Sequence, residues 1–437
     1  MMKVSYLTGF GNEHSSEAVV GALPLGCFSP QKPPLGLYAE KFSSTAFTAP
    51  RAKNRRSWFY RMLPSVVRSE MQRLANQYPN WRTAGIGSDE ELAEYDPRAM
   101  RWDPIPPAQK QIDFLSSIRT VAIAGDTRTQ IGTAVSLYQF SKNNERLYFV
   151  NADAEMLFIP HQGDLIIKTE CGVLELAPLE IAVIPRGMVF SVNCKGGSVA
   201  AGYLCENYGA PLDLPERGPI GSDGFANDRD FLYPQAWYEE GIGDCKLIRK
   251  IAGLFFETAL QDSPLDVVAW VGNSAPYKYN LQLFNTINTV SYDHPDPSIF
   301  TVLTSQSDTP GVANIDFVIF PPRWMVAENT FRPPWFHRNC MSEWMGLIHG
   351  VYDAKPDGFI PGGMSLHNTM TPHGPDVQAH THGSESELKP VHLLGTMAFM
   401  VETRYTLFPT LFALDTSARQ KEYHQCWQGF SKKFKKP

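Results

Sequence analysis

No stretch of the sequence holds the roughly 18 uninterrupted apolar residues that a membrane-crossing helix needs. Positive charge is not in surplus either. The 39 Lys and Arg against 45 Asp and Glu leave a net charge of -6, so no global field draws nucleic acid or anionic lipid. Cysteine pairs are missing too. The seven cysteines are scattered, odd in number and free of any C-x-x-C spacing. That excludes a disulfide framework and a zinc ribbon and fits small buried thiols. At the start of the chain, Gly11, Asn12, Glu13 and His14 stand where a signal peptide needs an apolar run. The expectation is an intracellular, cytoplasmic protein.

What is present describes an ordinary globular chain, with 43% hydrophobic and 19% charged residues. A length of 437 residues predicts two or three domains, and β-rich composition favours two. The first part is rich in Pro, Gly and aromatics, which favours turns and short strands. One amphipathic helix is expected from Pro64 to Gln77, and another near Phe114. Segments 146–151, 163–169, 172–176 and 181–185 are short, β-branched or alternating, with Gly, Pro, Asn or Asp between them. Strands punctuated this evenly argue for an antiparallel barrel. The phrase from Leu174 to Met188, with its turn at Pro185 and Gly187, looks like the second half of a cupin barrel. His161 stands alone there, without a His-x-His before it, so this barrel reads as metal-free and His161 as a turn histidine.

The fold class is therefore mainly β and bicupin-like, with few helices. It comprises an N-terminal β-rich domain holding a degenerate cupin barrel (1–286) and a C-terminal cupin, or jelly-roll, catalytic domain (287–437). Segments 269–272 and 274–278 are expected to cross between them. The lysine-rich end reads as a solvated tail.

Histidine placement carries the chemistry. Of 11 histidines, only His14 and His161 precede His294, and seven lie between His294 and His382. His337 and Glu343 are six residues apart, an even spacing that puts both on one face of a strand unless a bend or bulge intervenes. A third ligand on a neighbouring strand is either His367, nearer the cupin spacing, or His373. Glu343 to Gly350 has the spacing that closes a first cupin motif, and Pro361 begins a turn like that of the second. Two imidazoles and a carboxylate on one side of an ion form a facial triad with open positions. A mixed N/O set of that kind favours iron(II) and oxygen chemistry. Zinc or manganese on the same ligands would make a hydrolase or isomerase, and a metal-free storage or sugar-binding bicupin is the non-enzymatic alternative. His349, His380 and His382 read as peripheral. Arg51 to Arg61 mixes basic and aromatic residues as single-strand-binding surfaces do. Against the net charge, a loop buried at a subunit contact is expected instead.

Three long strings, Tyr292 to Thr304, Pro321 to His337 and Ser365 to Asp376, resemble the homogentisate 1,2-dioxygenase family, as do Tyr6 to Glu17 and Ser57 to Pro64. The resemblance covers essentially the whole chain. Met364 departs from it, at a place where a third glycine is expected. The resemblance implies Fe(II) held by His337, Glu343 and His373, and His294 as the catalytic proton acceptor. Substrate contacts are implied for Tyr352 and His373. Asn339 and Lys355 stand as partners for the substrate's acetate, and His367 as a further substrate-binding residue. It implies cleavage of homogentisate by O2 to 4-maleylacetoacetate, in tyrosine and phenylalanine breakdown, by a homohexamer built as a dimer of trimers.

Overall fold

In the computed structural model the residues described are 4–437, except 69, 83–91, 93, 108–109, 198 and 353–357. The fold is mainly antiparallel β-sheet. Six neighbouring strands of a nine-stranded sheet form one wall of the N-terminal barrel. In spatial order they are Arg119–Asp126, Ile131–Phe140, Ala200–Asn207, Glu155–Gln162, Glu180–Ile184 and Tyr277–Asn280. A seven-stranded sheet that includes Leu147–Asn151, Leu165–Thr169, Gly172–Leu176 and Val189–Cys194 forms the other wall. The expected strand sites are thus occupied by strands, because each carries alternating or continuous apolar residues to a core on one or both faces.

The C-terminal sheet has six strands: Thr301–Gln306, Ala313–Phe320, Met397–Thr403, Ser342–His349, Met364–His367 and Met100–Trp102. The last belongs to the N-terminal half of the sequence. Reciprocally, Phe408–Pro409 pairs with Arg119–Asp126 of the first barrel. Each half therefore lends a strand to the other. No described helix is long and apolar enough to cross a membrane.

Several local expectations give way to tertiary contacts. The segment 64–77 is no amphipathic helix. It forms a short 3-10 turn at Ser65–Arg68 and a strand at Gln72–Leu74 that pairs with Phe255, Phe256 and Glu257. Val66 and Val67 are exposed, while Arg68 is drawn inward onto Asp266 at 2.6 Å. The pairing partner and the buried ion pair override helical spacing. Near Phe114 a helix does form, Phe114–Ser117, with the Asp113 side chain capping Ser116 N–H. Segments 269–272 and 274–278 do not cross between the halves. Val267–Gly272 lies in a four-stranded sheet with His14–Glu17, Arg56–Arg61 and Tyr38–Ser43, and Tyr277–Asn280 stays in the first barrel. His161 sits at the end of Glu155–Gln162, where the register slips beside it, rather than in a turn.

The basic-aromatic stretch is a turn that leads into the strand Arg56–Arg61, and four of its charges have acidic partners. Lys53 and Arg55 meet Asp213, and Arg56 meets Glu13. Arg61, fully buried, is held by Asp266, Glu170 and Glu40 at 2.8–2.9 Å. A buried guanidinium needs that much acid to offset its lost hydration.

The two barrels pack through the outer faces of their walls. Tyr203 is the key piece. Its ring lies 4.8 Å from Phe399 and 5.7 Å from Trp344, both edge-on. Its hydroxyl reaches the carbonyls of Leu347 and Gly363, at 3.0 and 2.8 Å. Gly346 makes room for this contact, since a Cβ there would come within 2.3 Å of Phe399 and 2.9 Å of Tyr203. Neither ring can retreat in a close-packed core. Gly346→Ala should therefore destabilise the chain by about 1–3 kcal/mol, the usual penalty for overpacking. A thermal midpoint unchanged from the parent would contradict this account of the barrel contact.

Candidate metal centre

Glu343 is the second residue of Ser342–His349, flanked by His367 on one neighbouring strand and Glu402 on the other. Because directly opposed residues share a face, all three side chains enter the barrel. His337 is not on that strand. It lies in the irregular segment before it, tied to His373 by two backbone hydrogen bonds of 3.0 and 3.1 Å. The expected same-strand spacing of His337 and Glu343 is therefore incorrect, and a bridge outside the sheet brings the histidine in. Gly374 allows this close approach, as a Cβ there would strike Phe336 at 2.6 Å.

The result is a convergence. His373 Nε2 lies 3.0 Å from Glu343 Oε2, and His337 Nε2 lies 3.6 Å from Glu343 Oε1. One candidate ligand atom from each of His337, Glu343 and His373 lies within 4.8 Å of the others. Backbone carbonyls set the tautomers. His337 Nδ1–H donates to Trp335 O and His373 Nδ1–H to Thr371 O, each at 2.9 Å. In a neutral ring this leaves both lone pairs on Nε2, pointing toward the carboxylate. Lone pairs and an anion this close repel each other unless a cation, metal or proton, lies among them. The donor set thus fits a divalent ion.

Electrostatics agree. Burial pushes the Glu343 carboxyl up, but hydrogen bonds from His337, His367 and His373, made when their facing nitrogens carry a proton in place of an ion, outweigh this and hold it well below the usual carboxylate range. Next to it, burial and the charges of Glu343 and Asp316 push Glu402 up to about 8. Of these two cross-strand neighbours, Glu343 is held low and Glu402 is raised.

The three residues line a cavity of about 520 Å3. His294, Tyr352, His367, Asn339, Arg323, Phe300 and Phe320 line it as well. His294 Nδ1–H donates to Pro295 O at 2.9 Å, so its lone pair is on Nε2, and its ring meets Trp335 edge-on at 5.1 Å. Tyr352 packs edge-on against Phe320. His367 stacks on His373 with centroids 4.0 Å apart and lies 3.8 Å from Glu343 Oε2. Asn339 turns its amide to Glu343 and Glu402. Lys355 lies outside the described residues. His349 is exposed, and His380 and His382 sit on the helix Val377–Glu385 away from the cavity lining. Glu402 and Arg323 went unnoticed in the sequence. The signal available for Glu402 was an acid in the otherwise apolar strand Met397–Thr403.

Comparison with known proteins agrees with this arrangement. The family model described as homogentisate 1,2-dioxygenase N-terminal matches residues 5–281, and its C-terminal counterpart matches 282–434. The chain belongs to the homogentisate 1,2-dioxygenase family. Relatives named homogentisate 1,2-dioxygenase from Rhodopseudomonas palustris (strain TIE-1) and Bradyrhizobium diazoefficiens are each 54% identical over 98% of this chain and 94% of their own. Among solved structures, an oxalate decarboxylase from Bacillus subtilis is 11% identical over 75% of this chain and 81% of its own, with a TM-score of 0.32. That likeness is too distant to carry argument. Family membership makes the chain a ring-cleaving dioxygenase and sets aside the hydrolase, isomerase and storage readings.

The first barrel repeats part of the second without its candidate ligands. In the larger sheet of each half five neighbouring strands follow the same order, with the same register around the central strand. Where Glu343 is flanked by His367 and Glu402, Met156 is flanked by Ile184 and Glu206. The remaining acid, Glu206, is neutralised by the fully buried Lys250. An ammonium therefore stands in the first barrel where the second gathers metal-binding groups. Replacing His337, Glu343 or His373 by Ala should abolish stoichiometric binding of a divalent metal, read by elemental analysis after anaerobic loading. Retention of one ion per chain in any of the three would remove that residue from the candidate ligand set.

Proposed function

We propose that this chain cleaves the ring of homogentisate with O2 to 4-maleylacetoacetate, a step in tyrosine and phenylalanine breakdown, using one Fe(II) held by His337, Glu343 and His373. The observation that carries the reading is the pair of tautomer-locked imidazoles aimed at one ionised carboxylate inside a 520 Å3 cavity. When bound, iron(II) supplies adjacent coordination positions for the diol and O2 and a path for electrons from ring to O2.

The chain's own groups do the rest. His294 Nε2 accepts a phenolic proton, because Pro295 holds the other ring nitrogen as a donor. Trp335 keeps that imidazole at the cavity edge. Tyr352 and His367 are polar contacts for the substrate's oxygens, beside His373. Positive charge for its acetate comes from Arg323 and Arg338 on the same wall. Phe300, Phe320, Met345 and Met400 exclude water around the ring. The seven free cysteines fit a reducing compartment, the cytoplasm. Exposed Val20, Leu25 and Phe47 on the N-terminal arm fit subunit contacts in a homohexamer of two trimers.

The decisive experiment is anaerobic loading with Fe(II), then homogentisate and air, with O2 uptake and the ring-opened product's absorbance followed together. One O2 should be consumed per ring opened, and zinc-loaded protein should consume none. Absence of uptake with iron would sink the reading. His294→Gln should keep its iron and lose about 100- to 10,000-fold in kcat; unchanged turnover would take His294 out of the proton-accepting role.

A further inference from the structure

We infer that Asn339 is a positioning residue for the metal-binding carboxylate of Glu343, with Glu402 as its far anchor. The inference rests on the metal reading above and adds a device that sets how Glu343 is presented.

The orientation of the Asn339 amide follows from its surroundings. Its Oδ1 accepts Met341 N–H at 3.0 Å, and its backbone carbonyl accepts Met370 N–H at 2.7 Å. With the oxygen committed to a backbone donor, Nδ2 must face the other way, into the barrel. There it donates to Glu343 Oε1 at 3.1 Å and to Glu402 Oε1 at 2.8 Å. An amide nitrogen has two hydrogens, one for each carboxyl. Glu343 and Glu402 are direct cross-strand partners, so the amide spans a spacing that the sheet register already fixes.

The consequence concerns Glu343. A hydrogen bond on Oε1 takes up one of that oxygen's lone-pair directions and stops the carboxylate from rotating. A carboxylate held this way is biased toward binding an ion through one oxygen rather than chelating with both. Each position so spared remains open for substrate or O2. Asparagine suits the task because it donates without adding charge. A lysine in its place would neutralise Glu343 and compete with the ion.

The test titrates Fe(II) anaerobically into the full chain and records the electron paramagnetic resonance spectrum of its nitric oxide adduct. Asn339→Ala and Asn339→Leu should each weaken iron binding about 10-fold or more, as loss of an outer-shell partner does. Both should alter the adduct spectrum. Asn339→Leu keeps the side-chain volume, so an equal loss there assigns the effect to the amide rather than to a cavity, and it carries the reading if the alanine variant does not fold. Glu402→Leu, which removes the anchor alone, should give a smaller loss in the same direction. Parent affinity and a parent spectrum in Asn339→Leu would overturn the inference. Failure of the parent chain itself to bind iron, or binding that survives His337→Ala, would instead sink the metal reading on which it stands.

Discussion

A single buried anion organises the C-terminal barrel. Glu343 is removed from water, beside two further acids, and the imidazoles around it favour its ionised form by presenting a proton or a shared cation to it. Those imidazoles can serve only if their lone pairs face inward, and backbone carbonyls two residues upstream of His337 and His373 secure this. The metal centre is thus specified as much by main-chain oxygens as by the ligands. Displacing either carbonyl would turn a metal-binding nitrogen into a donor aimed elsewhere.

Comparison of the two barrels shows how little of the scaffold decides chemistry. Five neighbouring strands of the larger sheet in each half follow the same order, with the same register around the central strand. The difference is a handful of inward-facing positions: Met156 and Ile184 against Glu343 and His367. An apolar pair cannot hold a divalent ion. The acid left behind, Glu206, would be an unpaired buried charge without Lys250. Among the described residues an ammonium-carboxylate pair, rather than a set of metal-binding groups, fills that part of the first barrel. The first barrel is then free to act as a support, and Tyr203 transmits that support to the carbonyl of Leu347, on the strand that bears Glu343.

Much of this was legible in the sequence, for identifiable reasons. Short β-branched segments between turn residues became strands because their pattern matches the two-residue period of a sheet. Histidine clustering between His294 and His382 marked the right half of the chain. What spacing could not supply was long-range pairing. The stretch 64–77 carries helical spacing, yet Phe255, Phe256 and Glu257 recruit Gln72–Leu74 as a strand. The 337–343 interval suggested one strand, yet His337 reaches the site through a bridge to His373. Met100–Trp102 completes a sheet whose other strands lie some 200 residues further on, which no local window contains. Asn339, which the family resemblance suggested as a partner for the substrate's acetate, lines the cavity and turns its amide to two carboxyls, a direction set by Met341 N–H and invisible to spacing.

Charge balance in the cavity ties these points together. Burial and the charges of Glu343 and Asp316 raise the Glu402 carboxyl, while its cross-strand partner Glu343 is held low. A divalent ion bound among the imidazoles would add positive charge here, which favours a phenolate over a neutral phenol. Under the proposed function His294, whose Nδ1–H is held by Pro295 O, would take the proton so released, and Arg323 and Arg338, which line the same cavity, would answer the substrate's carboxylate. Asn339, donating to both carboxyls, ties the raised acid to the lowered one without adding charge of its own.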